Sequence, residues 1–288
     1  MASSVSREFR FIKTNGVTLH VLRAGNPANP LAVLLHGFPE FHLGWDRQIN
    51  DLVHAGFYVL APDQRGYNLS DKPRSIGAYT VDKLALDIIG LIDSVGVSKA
   101  VIAGHDWGAI VAWHLGVCHP DRVEKLIIAN VPHPVVFKKF YDHDNDQRRR
   151  SRYIRQFQVP ILPEMMLRKD DFKNAVESLV KTSLPGSFST DEIEEYKRAW
   201  GQPGALTGML NWYRAMVRRR TRLETIRVTV PTLILWGKRD RFLKWQMAEA
   251  SLEYCDDGRI EFFDDATHWV LRDRPEAVNR LIVKFLSR

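Results

Sequence analysis

The chain has 288 residues, of which 45% are hydrophobic and 26% are charged, a composition ordinary for a globular protein that buries its own core. Its net charge of +7 would suit an anionic partner, but the arginine clusters at 148–155 and 218–222 are interleaved with helical patterns and favour solvated helix faces over binding to nucleic acid or to a membrane surface. The two cysteines, Cys118 and Cys255, lack metal or redox spacing, and no stretch approaches the roughly 18 apolar residues of a membrane span.

The predicted elements begin with alternating strands and helices. Asn15-Gly16 is a strong hairpin-turn dipeptide between two extended runs, so we expect an antiparallel pair at the start of the chain. The apolar runs at residues 31–37 and 57–63 are typical of buried parallel strands. Apolar residues then recur at helical spacing over residues 80–95, and Gly96 is expected to end that helix.

Strand and helix signals alternate again up to residue 131 and resume after residue 229, whereas the stretch between them has helical patterns and no convincing strand. This order predicts an α/β fold, with a mostly parallel sheet flanked by helices and an inserted helical cap. The predicted boundaries place the first part of the core at 1–132, the cap at 133–228 and the second part of the core at 229–288.

Three chemistry-bearing residues follow directly on apolar strand runs: Asp106 in "AGHDWG", Asp240 and His268. In open α/β sheets, ligands bind at the carboxyl ends of the strands, so we expect these side chains to meet there. Gly104 and Gly108 flank Asp106 as a sharp strand–turn–helix elbow requires, because close approach of strand and helix leaves no room for Cβ atoms. A lone aspartate after a strand is usually a turn or cap residue, but three such residues at ordered strand ends indicate a catalytic triad.

These motifs, together with "HGFPEF", "DQRGYNLSDKP", "NWYR", "GKRDRFL" and "DATHW", resemble those of the α/β-hydrolase superfamily and, within it, the soluble epoxide hydrolases. The resemblance covers nearly the whole chain and implies the α/β-hydrolase fold, with nucleophile, acid and histidine in that chain order. The triad motifs are shared with haloalkane and fluoroacetate dehalogenases, so they specify nucleophilic aspartate chemistry more firmly than they specify the substrate.

An aspartate where esterases have serine changes the expected reaction. A carboxylate suits attack on an sp³ carbon that carries a leaving group, and the product is an alkyl ester of Asp106 itself. His268, oriented by Asp240, can then activate the water that attacks the ester carbonyl. The resemblance implies that the backbone N–H groups of Phe38 and Trp107 form the oxyanion hole, and that both residues contact the substrate.

The leaving group decides the substrate class. An epoxide opens to an alkoxide that needs a proton donor, and a neutral tyrosine with an ordinary pKa of about 10 suits that role. Tyr213 in "NWYR" and Tyr153 in "YIRQFQVP" match tyrosine contexts of the epoxide hydrolases, which implies that the two hold the epoxide oxygen jointly. Either tyrosine alone is equally explained as a packing residue of an amphipathic helix. The predicted reaction converts an epoxide and water to a vicinal diol.

Two other functions stay open on the sequence. A dehalogenase would use the same triad, and Trp107 matches a halide ligand of haloalkane dehalogenases. Against this, Phe38 stands where those enzymes commonly have asparagine, and Trp107 stands where fluoroacetate dehalogenases carry arginine. Some haloalkane dehalogenases place the acid after the sixth strand, where this chain has Asn130, and this leaves Asp240 as the acid. A non-catalytic binding protein on the same fold is the second alternative, although every catalytic position holds a competent residue.

The sequence shows no metal-ligand spacing and no phosphate-binding glycine loop, so neither a metal nor a cofactor is expected. The expected partner is a small epoxide with an apolar moiety; nucleic acid and an integral membrane segment are not expected, and the oligomeric state stays open. Residues 1–13 lack the apolar region of a secretory signal, which favours a cytoplasmic location. Asn68 replaces a glycine frequent in the family, and His114, His133 and His143 are interpreted as structural.

Overall fold

The computed structural model describes residues 5–218 and 225–288. The strands in these ranges are β1 (Arg7–Thr14), β2 (Val17–Ala24), β3 (Leu31–Leu35), β4 (Tyr58–Pro62), β5 (Ala100–His105), β6 (Val123–Ala129), β7 (Thr232–Gly237) and β8 (Gly258–Phe263). They form one sheet in the order β1-β2-β4-β3-β5-β6-β7-β8. β2 pairs antiparallel with β1 and β4, and every other neighbouring pair is parallel. The predicted mostly parallel sheet is confirmed.

Helices cover both faces of the sheet. They are α1 (Asp46–His54), α2 (Val81–Val95), α3 (Trp107–Cys118), α4 (Pro134–His143), α5 (Asn145–Arg150), α6 (Tyr153–Gln156), α7 (Leu162–Val180), α8 (Thr190–Gly201), α9 (Ala205–Arg218), α10 (Gln246–Leu252), α11 (Val270–Asp273) and α12 (Pro275–Leu286). Alternate strand residues such as Val33 and Leu34 belong to two separate apolar clusters, one with α2, α3 and α10 and the other with α1 and α12. Burial on both faces explains why the strand sequences are almost continuously apolar.

Local turn chemistry behaves as the sequence predicts. Asn15 and Gly16 have φ of 42° and 76° and join β1 to β2, the positive values that a two-residue hairpin turn requires. Gly96, with φ of 81°, ends α2 in the left-handed conformation. Pro275 is the first residue of α12, where its missing N–H and fixed φ suit a helix start.

The stretch between β6 and β7, here called the helical insertion (residues 130–231), contains α4 to α9. Its described residues form no strand, apart from an isolated bridge between Val228 and Cys255. The two amphipathic helices predicted from the sequence are α8 and α9, and the arginines of the second basic cluster at 219, 220 and 222 lie outside the described residues. The boundaries at 132/133 and 228/229 stay predictions. No helix in the described part of the chain combines the length and apolar character needed to cross a membrane.

Candidate active site

The elbow between β5 and α3 positions Asp106. This residue has φ of 48° and ψ of −121°, a strained conformation for a residue with a side chain. A Cβ atom on Gly108 would lie 2.0 Å from the Leu35 carbonyl oxygen, and one on Gly104 would lie 2.4 Å from the Gly108 carbonyl oxygen. Both positions therefore require glycine, and the tight contact between helix and strand holds the Asp106 carboxylate at the carboxyl edge of the sheet.

His268 links the two aspartates predicted for the triad. Its Nδ1 lies 2.7 Å from Asp240 Oδ2, and its Nε2 lies 3.4 Å from Asp106 Oδ2. Asp240 follows β7 and His268 follows β8, so the parallel order of β5, β6, β7 and β8 carries all three side chains to the same edge. The structure thus brings the three predicted residues into contact.

Asp240 is fixed by three hydrogen bonds besides its contact with His268. The backbone N–H groups of Phe242 and Leu243 donate to its Oδ1 at 2.7 and 2.9 Å, and Asn130 Nδ2 donates to its Oδ2 at 2.8 Å. The sequence reasoning treated Asn130 only as an absent acid. In the structure Asn130 is a direct hydrogen-bond donor to the acid that is present, a pairing that no sequence motif announces.

The charges of these side chains are strongly coupled. Burial lowers the pKa of His268, but the carboxylates of Asp240 and Asp106 outweigh burial and raise this pKa to about 10. Burial raises the pKa of Asp106, but hydrogen bonding to His268 and its positive charge hold that pKa below its ordinary value. At neutral pH the site therefore holds an imidazolium between two carboxylates.

The two oxygens of Asp106 have different surroundings. Its Oδ1 accepts a hydrogen bond from the backbone N–H of Phe38 at 2.7 Å, whereas its Oδ2 faces His268. Trp107 is the first residue of α3, so its backbone N–H has no acceptor within the helix and lies at the positive end of the helix dipole. Negative charge on Oδ1 is thus favoured by the backbone before any reaction begins.

The helical insertion brings the two predicted tyrosines together. The ring centroids of Tyr153 in α6 and Tyr213 in α9 are 5.9 Å apart, and Tyr213 also contacts the rings of Phe38 at 5.3 Å and Trp107 at 4.9 Å. Burial and the negative charge of Asp106 raise the pKa of both phenols above the ordinary value. Both tyrosines therefore remain protonated at neutral pH and can donate hydrogen bonds.

Aromatic side chains complete the lining beside these tyrosines. Phe157 lies 5.0 Å from Tyr213 and 5.7 Å from Tyr153, between ring centroids. Phe242 lies 5.9 Å from Tyr153 and 5.2 Å from His268. The sequence reasoning did not single out Phe242, although its place two residues after the acid in "GKRDRFL" was the available signal.

A buried pair supports the backbone at the histidine. His105 Nδ1 lies 2.9 Å from Glu40 Oε2, and its Nε2 lies 2.9 Å from the carbonyl oxygen of His268. Tyr196 donates its hydroxyl to Glu40 Oε1 at 3.1 Å. Burial raises the pKa of Glu40, but hydrogen bonding and charge from His105 bring it below the ordinary value, so the carboxyl is ionised. The sequence reasoning missed this pair, whose acid stands within "HGFPEF".

One group of the described residues has metal-like spacing, namely His20, His42 and Asp63, here called the Asp63 cluster. Its two imidazole Nδ1 atoms lie 2.7 and 2.8 Å from different oxygens of Asp63. The backbone N–H of His42 and the Asn68 side chain donate to the same carboxylate at 2.9 and 2.8 Å. Because each Asp63 oxygen already accepts two hydrogen bonds, these residues fit a structural network better than a metal site.

Comparison with known proteins identifies the family of this chain. The alpha/beta hydrolase family matches residues 32–281. The AB hydrolase superfamily protein YfhM of Bacillus subtilis is 47% identical over 96% of this chain and 97% of its own length. Epoxide hydrolase 4 of Mus musculus is 39% identical over 96% of this chain and 78% of its own length.

Among solved structures, the Bacillus megaterium epoxide hydrolase in complex with an inhibitor superposes with a TM-score of 0.89. It is 30% identical, and the match covers 97% of this chain and 100% of that one. The class that the fold and site define is therefore a hydrolase with the α/β-hydrolase fold, as predicted. This chain belongs to the alpha/beta hydrolase family and, within it, to the epoxide hydrolases.

Proposed function

We propose that this protein hydrolyses an epoxide to a vicinal diol through a covalent hydroxyalkyl ester on Asp106. The observation that carries the proposal is the divided environment of the Asp106 carboxylate, with Oδ1 on the Phe38 N–H and Oδ2 facing His268. The epoxide hydrolase names of several relatives and structural neighbours support the same reaction.

In the first step, Asp106 Oδ2 attacks one epoxide carbon and the bond from that carbon to the ring oxygen breaks. The departing oxygen takes a proton from Tyr153 or Tyr213, whose raised pKa values keep them protonated until the alkoxide forms. The product of this step is a β-hydroxyalkyl ester of Asp106. Proton donation by these tyrosines distinguishes ring opening from halide departure, which needs no proton.

In the second step, His268 takes a proton from water and the resulting hydroxide attacks Cγ of Asp106. The ester carbonyl oxygen is Oδ1, so negative charge forms on the atom that Phe38, and in this proposal Trp107, stabilise by their N–H groups. The bond from Cγ to the alkyl oxygen then breaks, and the departing alkoxide takes the proton that His268 had removed from water. The proton left on the new Asp106 carboxyl passes to His268, which restores the carboxylate and the imidazolium.

The electrostatics give the two steps an order. An imidazolium with a pKa of about 10 is a poor base, but part of that elevation comes from the Asp106 charge. Formation of the ester removes this charge, so the pKa of His268 falls toward neutrality only after alkylation. The proton that His268 then releases restores the tyrosine that lost its own in ring opening, and the neutral His268 is a competent base at the stage that needs one.

The helical insertion supplies the rest of the proposed site, with residues 133–228 acting as a cap over the triad. Phe38, Trp107 and Phe157 would contact an apolar moiety of the epoxide, because their rings surround Tyr213. We place the enzyme in the cytoplasm, and the reaction as proposed uses neither a metal nor a cofactor.

The test uses purified His268→Gln protein and intact-mass spectrometry. The protein is incubated separately with styrene oxide, an aliphatic fatty epoxide and a bromoalkane. We expect a persistent adduct equal to the whole epoxide mass, mapped to Asp106, because alkylation proceeds while hydrolysis stalls. His133→Gln is the matched control, because His133 is also a buried histidine but stacks on Tyr254. This variant should hydrolyse the Asp106 ester normally and accumulate no adduct.

The remaining outcomes are equally informative. An adduct only from the bromoalkane would assign a dehalogenase. The absence of any adduct from all three compounds would contradict alkylation of Asp106 and support a non-catalytic protein.

A further inference from the structure

The surface of the helical insertion carries an exposed apolar patch where α7 begins. Its large apolar side chains are between 44% and 68% exposed: Val159, Ile161, Leu162, Met165 and Met166, here called the α7 patch. Consecutive exposure of this kind is unusual, since exposed apolar side chains on soluble proteins are normally scattered singly. The i,i+4 spacing of Ile161 with Met165 and of Leu162 with Met166 places the side chains in neighbouring rows on the first turn.

The α7 patch is held rigidly from beneath. Arg214 is buried and donates to the carbonyl oxygens of Phe157 and Val159 at 3.1 and 2.9 Å. Its Nη1 and Nη2 also contact the two carboxylate oxygens of Glu164 at 2.8 and 3.0 Å. A bidentate ion pair on a buried arginine fixes this backbone, so the exposure of the apolar side chains is not due to a loose loop.

Ile161 has φ of 67°, which for a β-branched residue is a genuine backbone outlier. Glycine or asparagine would adopt this conformation at lower energy, yet the chain carries a large apolar side chain that is 68% exposed. The strained conformation of Ile161 buries no additional apolar surface in the core. It therefore points to a contact made outside the molecule.

The charges around the α7 patch have one predominant sign. Arg155, Arg168, Lys169 and Arg218 are exposed, and Arg218 donates to the carbonyl oxygen of Gln158 within the patch segment. Among the described residues, none of these four side chains forms a salt bridge, and the exposed acids nearby are Asp170 and Asp171, of which Asp171 pairs with Lys197. Cations that stand outside ion pairs beside apolar side chains are the pattern of an interfacial membrane contact.

We propose that the α7 patch docks this protein onto the surface of an anionic phospholipid bilayer. The apolar side chains enter the boundary between headgroups and acyl chains, and the surrounding cations face the lipid phosphates. A second copy of the chain fits less well, because a symmetric contact would bring the same cations against one another in a molecule of net charge +7.

The position of the α7 patch adds a consequence that rests on the proposed function. Phe157 contacts both site tyrosines, and two residues later Val159 belongs to the exposed patch. The same short segment therefore runs from the site lining to the docking surface. Docking by the α7 patch would therefore hold the segment that lines the proposed site against the bilayer, where an apolar epoxide would be dissolved.

The test is co-sedimentation of the full chain with vesicles of phosphatidylglycerol and phosphatidylcholine, and with vesicles of phosphatidylcholine alone. We expect binding to the anionic vesicles, weakened by added salt, and little binding to the neutral ones. Replacing both Arg168 and Lys169 by glutamine should lower the partition coefficient by about fivefold per cation. The double variant Ile161→Ser/Met165→Ser should lower it by about tenfold or more.

Phe11→Ser is the matched control, because Phe11 is 64% exposed on β1 and lies outside the α7 patch. It should bind vesicles like the unmodified protein. Equal binding by the Ile161→Ser/Met165→Ser variant and the Phe11→Ser control would overturn the proposal. So would unmodified protein that ignores anionic vesicles, or light scattering showing that the patch variant only converts a dimer to a monomer. Turnover of a water-soluble epoxide should be unchanged in all variants, which separates loss of docking from failure of the proposed reaction.

Discussion

Two aspartate–histidine groups in this protein share a short contact and differ in what surrounds it. His268 Nδ1 lies 2.7 Å from Asp240, and the Asp63 cluster has equivalent contacts at 2.7 and 2.8 Å. In the triad, the second ring nitrogen of His268 faces Asp106, which is itself held on a strained elbow. In the Asp63 cluster, both imidazoles direct Nδ1 to one carboxylate that already has further donors. The aspartate–histidine contact is thus common to both groups, and under the proposed mechanism the group that faces the other ring nitrogen decides whether a reaction follows.

The largest expected effect comes from removing the Asp106 carboxylate, the group that faces Nε2 of His268. Asp106→Ala should reduce epoxide turnover by about 10⁶-fold, because no carboxylate remains to form the ester. Steady-state diol production and intact-mass spectrometry both measure the loss. Residual turnover within a hundredfold of the unmodified enzyme would exclude Asp106 as the nucleophile.

Asp240→Asn should reduce turnover by about 10⁴-fold, because an amide no longer stabilises the imidazolium or fixes its tautomer. The measurement is single-turnover formation and decay of the Asp106 ester. We expect the decay of the Asp106 ester to be slowed more than its formation. An equal effect of Asp63→Asn on turnover would show that the two groups are not functionally distinct.

In the proposed reaction, Tyr153 and Tyr213 act on ring opening only. Tyr153→Phe and Tyr213→Phe should each slow ester formation by about 10²-fold, because one proton donor to the alkoxide is lost. The double variant should be far slower, while hydrolysis of a preformed ester stays near normal. Stopped-flow measurement of both steps checks this, and full activity in the double variant would refute the assignment of these tyrosines.

Asp63→Asn should leave kcat/KM within about twofold and lower the free energy of unfolding by about 2 kcal/mol, because an amide nitrogen would then face donors in a buried network. Denaturant titration measures the change in the free energy of unfolding. The rate of epoxide turnover, divided by the concentration of folded protein, measures the activity. Lost activity in fully folded protein would contradict the structural role.

The smallest expected effect is on the pH dependence of stability, which should have opposite signs for Asp63 and His268. Burial raises the pKa of Asp63, but His42 and His20 hold it well below the ordinary value, so its stabilisation is present above about pH 4 and is lost as the pH falls. His268 has a pKa raised to about 10, so its stabilisation is complete below about pH 6.5 and is lost as the pH rises through 10.

Thermal unfolding of the unmodified protein, Asp63→Asn and His268→Gln from about pH 2 to 10 measures both trends. The stability advantage over His268→Gln should shrink above about pH 6.5, and the advantage over Asp63→Asn should shrink as the pH falls below about 4. Advantages that do not change with pH would show that neither pair depends on its ionised state.

Sequence reasoning succeeded wherever the signal is local. The Asn15-Gly16 hairpin, the end of α2 at Gly96 and the start of α12 at Pro275 each follow from the backbone preferences of one or two residues. The elbow glycines belong to the same class. The sequence also named the three side chains that meet at the sheet edge, because parallel strands deliver their carboxyl ends to one place.

Long-range polar pairing escaped the same reasoning. The hydrogen bond from Asn130 to Asp240 and the contact of His105 with Glu40 join residues far apart in sequence, and neither pair has a spacing that identifies it. The Asp63 cluster was missed for the same reason. Exposure of the α7 patch was also hidden, since apolar residues at helical spacing normally predict burial.

The sequence by itself determined the α/β class, the strand ends and the residue types able to carry out aspartate chemistry, because these depend on local periodicity and turn preferences. The tertiary structure decided which carboxylate faces which imidazole nitrogen, and which apolar helix turn has no partner in the core. Those relations depend on how distant segments pack, and the free energy of a buried hydrogen bond or charge is set by its neighbours in space.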